Sequence, residues 1–467
     1  MQNSTHYLRK LAVPFLIGAV IWFMPFPHGL DPKAWHLFAI FAGTIAGIMI
    51  SPLPMGAIAM IGLTIAIISN VIPLERALAG FGDKIVWLVV CAFFISRAFI
   101  NTRLGERIAY FFTYLLGRRT VGLAYGMVIT EFFLAPMIPS VTARGGGIIF
   151  PLANSVANNY VHNSHRKAAA YIIATCFQSN VITSAMFLTA MAANPLIQQF
   201  AGQSGITVTW GSWALGAIVP GLINLMLMPL LLVWLCPPDI LVSEDAPQMA
   251  KKSLKELGPI SVNEKIMALV FIMLIFLWIQ GKSLFGIDAV STAFLGLSIL
   301  LLTKVLNWND VINEHGAWQT FVWFAVLVMI SEHLSKYGMT SWISEHIKYL
   351  TEGEDMIKAS VVLGLLMFFL HYFFASATTH ITVLYPTFLL IFLSIGVPPM
   401  LAAMSLGFIS ILSSGITHYS FGSAPIYFRL GFFSTKAWWK IGIVVGIFNL
   451  AVWAIVGSIW WKFLGWY

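Results

Sequence analysis

Pro139-Ser140-Val141-Thr142-Ala143-Arg144-Gly145-Gly146-Gly147 has an echo later in the chain, Ala375-Ser376-Ala377-Thr378-Thr379-His380. Each copy sets a Ser, an apolar residue, a Thr and, four positions after the Ser, a side chain able to carry positive charge. Each lies between two apolar runs, Val121 to Pro139 and Ile148 to Ala157 in the first copy, Ala359 to Ala375 and Ile381 to Val397 in the second. The pattern predicts two hairpins that dip into a membrane and turn back. At their tips, hydroxyls and freed backbone N–H groups need partners, because lipid offers none. An anionic ligand meets that need.

The composition agrees with a membrane setting. Hydrophobic residues make up 59% of the 467 and charged residues 9%, with a mean hydropathy of +0.86, more apolar surface than a soluble core could absorb. The first apolar run, Leu11 to Phe26, is followed by no small-residue cleavage site and reads as an uncleaved span. Cys91, Cys176 and Cys236 lie in apolar segments without metal-ligand spacing, so no metal site or disulfide framework is expected. The net charge of +8 is spread over loops with no aromatic-interleaved basic stripe, which argues against nucleic acid as a partner.

Apolar runs long enough to cross about 30 Å of hydrocarbon predict eleven spans besides the two re-entrant hairpins, at 121–159 and 357–397. Two shorter stretches, Arg107 to Leu116 and Tyr337 to Leu350, read as interfacial helices. With the N-terminus inside, sixteen basic residues fall on the cytoplasmic side and eight on the other, which supports a cytoplasmic N-terminus and an outside C-terminus. The polar segment 237–264 divides the chain. Residues 1–54 form N-terminal helices, 55–236 a first repeat and 265–467 a second.

The halves correspond residue by residue. Ile61-Gly62-Leu63 answers Leu295-Gly296-Leu297, Val86-Trp87 answers Val322-Trp323, and Ile182-Thr183 answers Ile416-Thr417, at an offset that stays between 234 and 236. An odd number of crossings separates equivalent spans, so the repeats are inverted in the membrane. The expected fold is therefore an all-α polytopic membrane protein of two inverted repeats. Inverted repeats with interrupted segments near the midplane point to a secondary transporter with its site at the interruptions.

Three sets of residues are candidates for that site. Ser140, Thr142, Ser376, Thr378 and Thr379 offer hydroxyls where a helix begins and its backbone favours negative charge. Gly145 to Gly147 allow close approach to the first backbone. Arg144 is expensive to place inside a membrane, so it needs either a ligand or a partner such as Glu131. His380 holds the matching position; His371 reads as a hydrogen-bonded neutral side chain. The third set is a pair of polar stretches inside later spans, Ser179 to Ser184 and Ser413 to Tyr419, expected to be unwound and to line a cavity with Thr183, Ser184, Thr417 and His418. The plainer alternatives are hydroxyls bonded to carbonyls one turn back and small residues for helix packing. No nucleophile, base and orienting carboxylate converge, so an enzyme is not expected, and no cofactor is implied.

The strings FLAPMIPSVTARGGGIIFPL (133–152), HYFFASATTHITVLYP (371–386) and SGITHYSFGSAPIYF (414–428) resemble the divalent anion to sodium symporter (DASS) family. The resemblance extends over essentially the whole chain. It is strongest to the branch of bacterial dicarboxylate and tricarboxylate antiporters and plastid 2-oxoglutarate/malate translocators. It implies a homodimer with a fixed scaffold and a mobile transport domain whose tips and broken spans bind the substrate carboxylates, in the bacterial cytoplasmic membrane. Two tips visible as carboxylate clamps favour C4 to C5 dicarboxylates of the succinate, malate and 2-oxoglutarate type. Sodium-coupled members carry Ser-Asn-Thr at both tips, and the Asn is replaced here by Val141 and Ala377. Losing an amide oxygen from both tips weakens the case for bound sodium. The expectation is sodium-independent exchange, with positive charge on Arg144 and protonated His380 in place of the ions; a sodium- or proton-coupled symporter is the alternative.

Overall fold

The structure is a computed structural model that describes residues 2–242, 245–351 and 355–467. Ser243 and Glu244 of the expected linker lie outside the described residues. The first half contains α1 (Gln2–Phe23), α2 (Pro32–Ile50), α3 (Met55–Ile68), α4 (Leu74–Ala77), α5 (Lys84–Asn101), α6 (Leu104–Leu116), α7 (Thr120–Leu134), α8 (Phe150–His162), α9 (Arg166–Met186), α10 (Asn194–Gln203) and α11 (Trp210–Leu235). The linker forms α12 (Asp245–Leu257). The second half contains α13 (Val262–Phe285), α14 (Ala289–Leu302), α15 (Trp308–Ile312), α16 (His315–Lys336), α17 (Met339–Thr351), α18 (Met356–Leu370), α19 (Ala377–Ser394), α20 (Pro399–Leu412), α21 (Ala424–Phe428) and α22 (Thr435–Phe463). Among the described residues, nine helical segments are long and apolar enough to cross a membrane, and four shorter apolar helices accompany them.

Polar residues set where these helices begin. The Asp83 carboxylate accepts from the amides of Ile85 and Val86 at the start of α5, and Asp288 does the same for Ser291 in α14. Ser261 and Glu264 cap α13 reciprocally. Arg107 in α6 then ties the linker down: its guanidinium donates to both Glu264 oxygens and to the Gly258 carbonyl.

The packing repeats as the sequence does. α3 lies against α16 while α14 lies against α5, and α5 meets α16 between them. α9 meets α20, and α11 meets α22. A two-fold operation exchanging the halves maps each contact onto itself or onto its mate, as inverted repeats require. α2 packs on α3 as α13 packs on α14, so packing pairs those two helices as well. The two short amphipathic helices, α6 and α17, flank the hairpins, α6 against α7 and α17 against α19.

α22 crosses directly over the backbone that follows α20. A Cβ on Gly442 would sit 2.3 Å from the Ile416 carbonyl oxygen and 2.7 Å from that of Gly415. Gly442→Ala is expected to cost about 1–3 kcal/mol through overpacking, read as a lower Tm of the purified protein. Gly202→Ala, where the added carbon meets nothing within 4 Å, leaves Tm unchanged.

Candidate functional site

The first hairpin breaks because of its prolines. α7 ends at Leu134, a tight turn covers Ala135–Met137, and Ile138 is extended ahead of Pro139. Pro136 and Pro139 contribute no N–H, and the break leaves nearby carbonyls without helical donors. α9 has its own break at 187–193, where a short turn at Leu188–Ala190 precedes α10. The two breaks satisfy each other. Thr189 donates its hydroxyl to the Pro136 carbonyl at 2.6 Å, and the Ala192 amide donates to Pro139 at 3.1 Å.

Arg144 completes that join. Its Nη1 donates to the Ile138 and Ala190 carbonyls, both at 2.6 Å, and its Nη2 to the Ser184 hydroxyl at 2.6 Å. Its Nε meets Glu131 Oε1 in α7 at 2.5 Å, with both side chains fully buried. The same carboxylate oxygen accepts from Asn180 at 2.6 Å and Thr183 at 3.2 Å. The guanidinium is therefore not an uncompensated cation. Glu131 balances its charge, and two backbone breaks and α9 take its donors. This corrects the expectation that Arg144 offers free positive charge to a ligand.

Arg144 itself lies in a π-helix over Thr142–Ile149, the wide form that often marks functional sites. Gly145 and Gly146 permit it to nestle: a Cβ on Gly145 would lie 2.9 Å from Asn180 Oδ1, and one on Gly146 2.5 Å from Ile426. Tyr427 donates to the Gly145 carbonyl at 2.7 Å, Ser423 to Asn180 Oδ1 at 2.8 Å, and Gly422 lies against Thr142 and Val141. The first tip thus rests on interrupted segments from both halves. Thr142 and Gly147 are exposed, and Ser140 and Val141 half-buried, so this tip presents its hydroxyls outward. The Ser140 hydroxyl also accepts from the Ala143 amide at 3.1 Å.

The second hairpin repeats the plan with different chemistry. α18 ends at Leu370, His371–Phe373 turn tightly, Phe374 and Ser376 are extended, and α19 begins at Ala377. Tyr419 donates to the Tyr372 carbonyl at 2.8 Å, as Thr189 does to the equivalent Pro136. His380, equivalent to Arg144, reaches back through Nε2 to the carbonyl of Met367 at 3.1 Å, and Met367 is the residue equivalent to Glu131. The imidazole has a backbone dipole where the guanidinium has a charge. Ser376 and Thr378 are half-buried, Ala377 and Thr379 are buried, and the Ser376 side chain makes no cap bond to its own helix.

The interrupted segments differ from expectation in one half. After α20 the chain unwinds over 413–423 as the sequence suggests, but Ser179 to Ser184 remain helical within α9 and the break comes later, at Phe187. Asn180, Thr183 and Ser184 direct their side chains at Glu131, Arg144 and Ser423, so their polarity serves lateral bonding without disrupting the helix. Thr183 and Ser184 are fully buried behind the first tip. Thr417 is buried with its hydroxyl accepting from the Ser420 amide, and His418 is half-buried with Nδ1 accepting from Trp439 at 3.0 Å. Asn180, Ser423 and Tyr427 had no role in the sequence reading, although the quoted strings contain the latter two. Their function as cross-repeat ties depends on contacts that chain order does not reveal.

The sequence matches the family model described as Sodium:sulfate symporter transmembrane region over residues 5–467. It is 47% identical to the "Putative malate transporter YflS" of Bacillus subtilis over 99% of this chain and 98% of that protein. It is 44% identical to "Dicarboxylate transporter 1, chloroplastic" of Spinacia oleracea, over 98% of this chain and 82% of that one. The fold is similar to the crystal structure of the Alcanivorax borkumensis YdaH transporter, with a TM-score of 0.57 at 13% identity over 98% of this chain and 97% of that one.

The joined breaks predict a stability effect away from the tips. Thr189→Val and Tyr427→Phe each leave a buried carbonyl without its hydroxyl donor, and each is expected to cost about 1–3 kcal/mol. Thermal unfolding of the substrate-free protein measures it; unchanged Tm values in both variants would contradict the arrangement.

Proposed function

The chain belongs to the divalent anion to sodium symporter family, and on that premise we propose that it is a secondary transporter exchanging C4 to C5 dicarboxylates without sodium. The observation that carries this reading is the first tip: Ser140, Thr142 and Gly147 open at the start of a helix, braced from behind by interrupted segments of both halves. Hydroxyls and N–H groups at a helix start suit a carboxylate. Ser376 and Thr378 offer a second such place at the equivalent position, so a molecule with a carboxylate at each end fits the pair. The similarity to a putative malate transporter and to a chloroplast dicarboxylate transporter supports the same substrate class.

The barrier to empty crossing does not rest on Arg144, whose charge Glu131 balances. It rests on the tips. Closing the site without ligand strips water from hydroxyls and N–H groups that then lack partners, at about 1–3 kcal/mol for each. Two such groups already slow the step by well over tenfold, since 1.36 kcal/mol is a factor of ten in rate. A bound dicarboxylate satisfies them and allows the crossing. In this reading the hairpins with α9 to α11 and α20 to α22 move as an elevator against α2 to α5 and α13 to α16, in a homodimer with the N-terminus cytoplasmic. Val141 and Ala377 supply no amide oxygen for sodium.

Liposomes loaded with or without succinate, given labelled 2-oxoglutarate in sodium or choline buffer, test the reading. Uptake is expected only with internal succinate and equally in both buffers. Sodium-driven uptake into empty liposomes would overturn it. Thr142→Val and Ser376→Ala are each expected to raise KM about 10- to 100-fold, the worth of a hydrogen bond to a charged group; unchanged KM in both would remove the tips from the site.

A further inference from the structure

Beneath the second tip two imidazoles lie side by side with little else to bind them. The His371 and His380 rings are 4.5 Å apart between centroids, inclined at 59°, and both are fully buried. His380 Nε2 is bonded to the Met367 carbonyl, which only accepts, so this nitrogen carries the hydrogen. His380 Nδ1 and both nitrogens of His371 have no partner. The Ser420 backbone carbonyl faces His371 without reaching hydrogen-bond geometry. Three unpartnered ring nitrogens in one buried pocket are unusual, since buried polar atoms are normally satisfied.

The contrast between the halves gives the pocket a use. A dicarboxylate brings two negative charges, while the first tip contributes a neutral pair, Arg144 with Glu131. His418 is half-buried and accepts at Nδ1 from Trp439. Among the described residues, His371 and His380 are fully buried beneath the second tip with no counter-charge bonded to either. Lys358 on α18, Glu345 and His346 on α17, and Lys33 and His36 on α2 are exposed or half-buried, and none is bonded to either imidazole. α20 carries no titratable residue. Tyr419 in the unwound segment is bonded to Tyr372.

We propose that His371 and His380 form a proton site, filled from solvent when a dicarboxylate binds at the second tip and emptied when it leaves. The proton sits on His380 Nδ1, one helical turn from Ser376, and His371 accepts the resulting hydrogen bond after a small ring rotation. An imidazolium buried without an anion is costly, and the incoming carboxylate supplies that anion. Proton and dianion therefore bind together, and the loaded site carries one negative charge less than the substrate does. The inference rests on the dicarboxylate reading above. It adds that each substrate crosses with one proton, so exchange of one dicarboxylate for another leaves no net proton flow.

Isothermal titration of the full-length protein with 2-oxoglutarate, at a pH about one unit above the ordinary histidine value and in two buffers of different ionisation heat, counts protons taken up on binding. Close to one proton per dianion is expected, with Kd weakening up to about tenfold per pH unit as pH rises. Binding with no proton uptake overturns the proton site and leaves the dicarboxylate reading standing; no binding at all overturns both. His371→Gln and His371→Asn are expected to bind 2-oxoglutarate with most of the uptake lost. Full uptake in either variant assigns the proton elsewhere and overturns the pair.

Discussion

The buried pair between Arg144 and Glu131 is the constraint on which this structure depends. A membrane protein that interrupts its helices must supply partners for every backbone group it frees. Here one guanidinium serves two interrupted stretches at once, taking the Ile138 and Ala190 carbonyls while Glu131 balances its charge. Removing either partner would strand the other charge in a dry interior, which costs about 3–5 kcal/mol in such pairs. The cluster fixes α7, α9 and the first tip as one body. A rigid tip can carry a ligand without its own geometry changing.

The two halves use one design with unequal chemistry. Equivalent carbonyls, at Pro136 and Tyr372, are each capped by a hydroxyl from the segment that follows, and equivalent residues, Arg144 and His380, each reach back to the first arm of their hairpin. The difference lies at two positions in each half: Glu131 answers Met367, and Arg144 answers His380. A buried ion pair stands in the first half where the second has two imidazoles with no counter-charge bonded to them. Symmetry therefore explains the architecture, and its local failure marks where charge is regulated.

Much of this was legible in the sequence. The inverted repeat, the two hairpins and their tip residues follow from an offset that the apolar pattern maintains over hundreds of positions, because span parity and proline placement act locally along the chain. The environment of Arg144 was legible only as a choice, since Glu131, an acidic residue inside an apolar run, competed with a ligand as its partner. The sequence also misplaced the interruption in α9. Ser179 to Ser184 look helix-weakening when read singly, but their side chains find partners on α7 and the later repeat, and the helix persists to Met186. His371 was the least legible, as its neighbour His380 lies nine residues away and nothing in that spacing indicates that the rings face each other with their nitrogens unbonded.

The most direct measurement is a double-mutant cycle on thermal stability of the substrate-free protein, using Glu131→Gln, Arg144→Gln and the double variant. If the guanidinium belongs to the scaffold of the tip, each single change destabilises strongly and the double variant recovers part of the loss, because it removes both charges together. Arg144→Gln with unchanged stability but lost dicarboxylate binding, or single effects that simply add, would contradict the account and return Arg144 to the substrate.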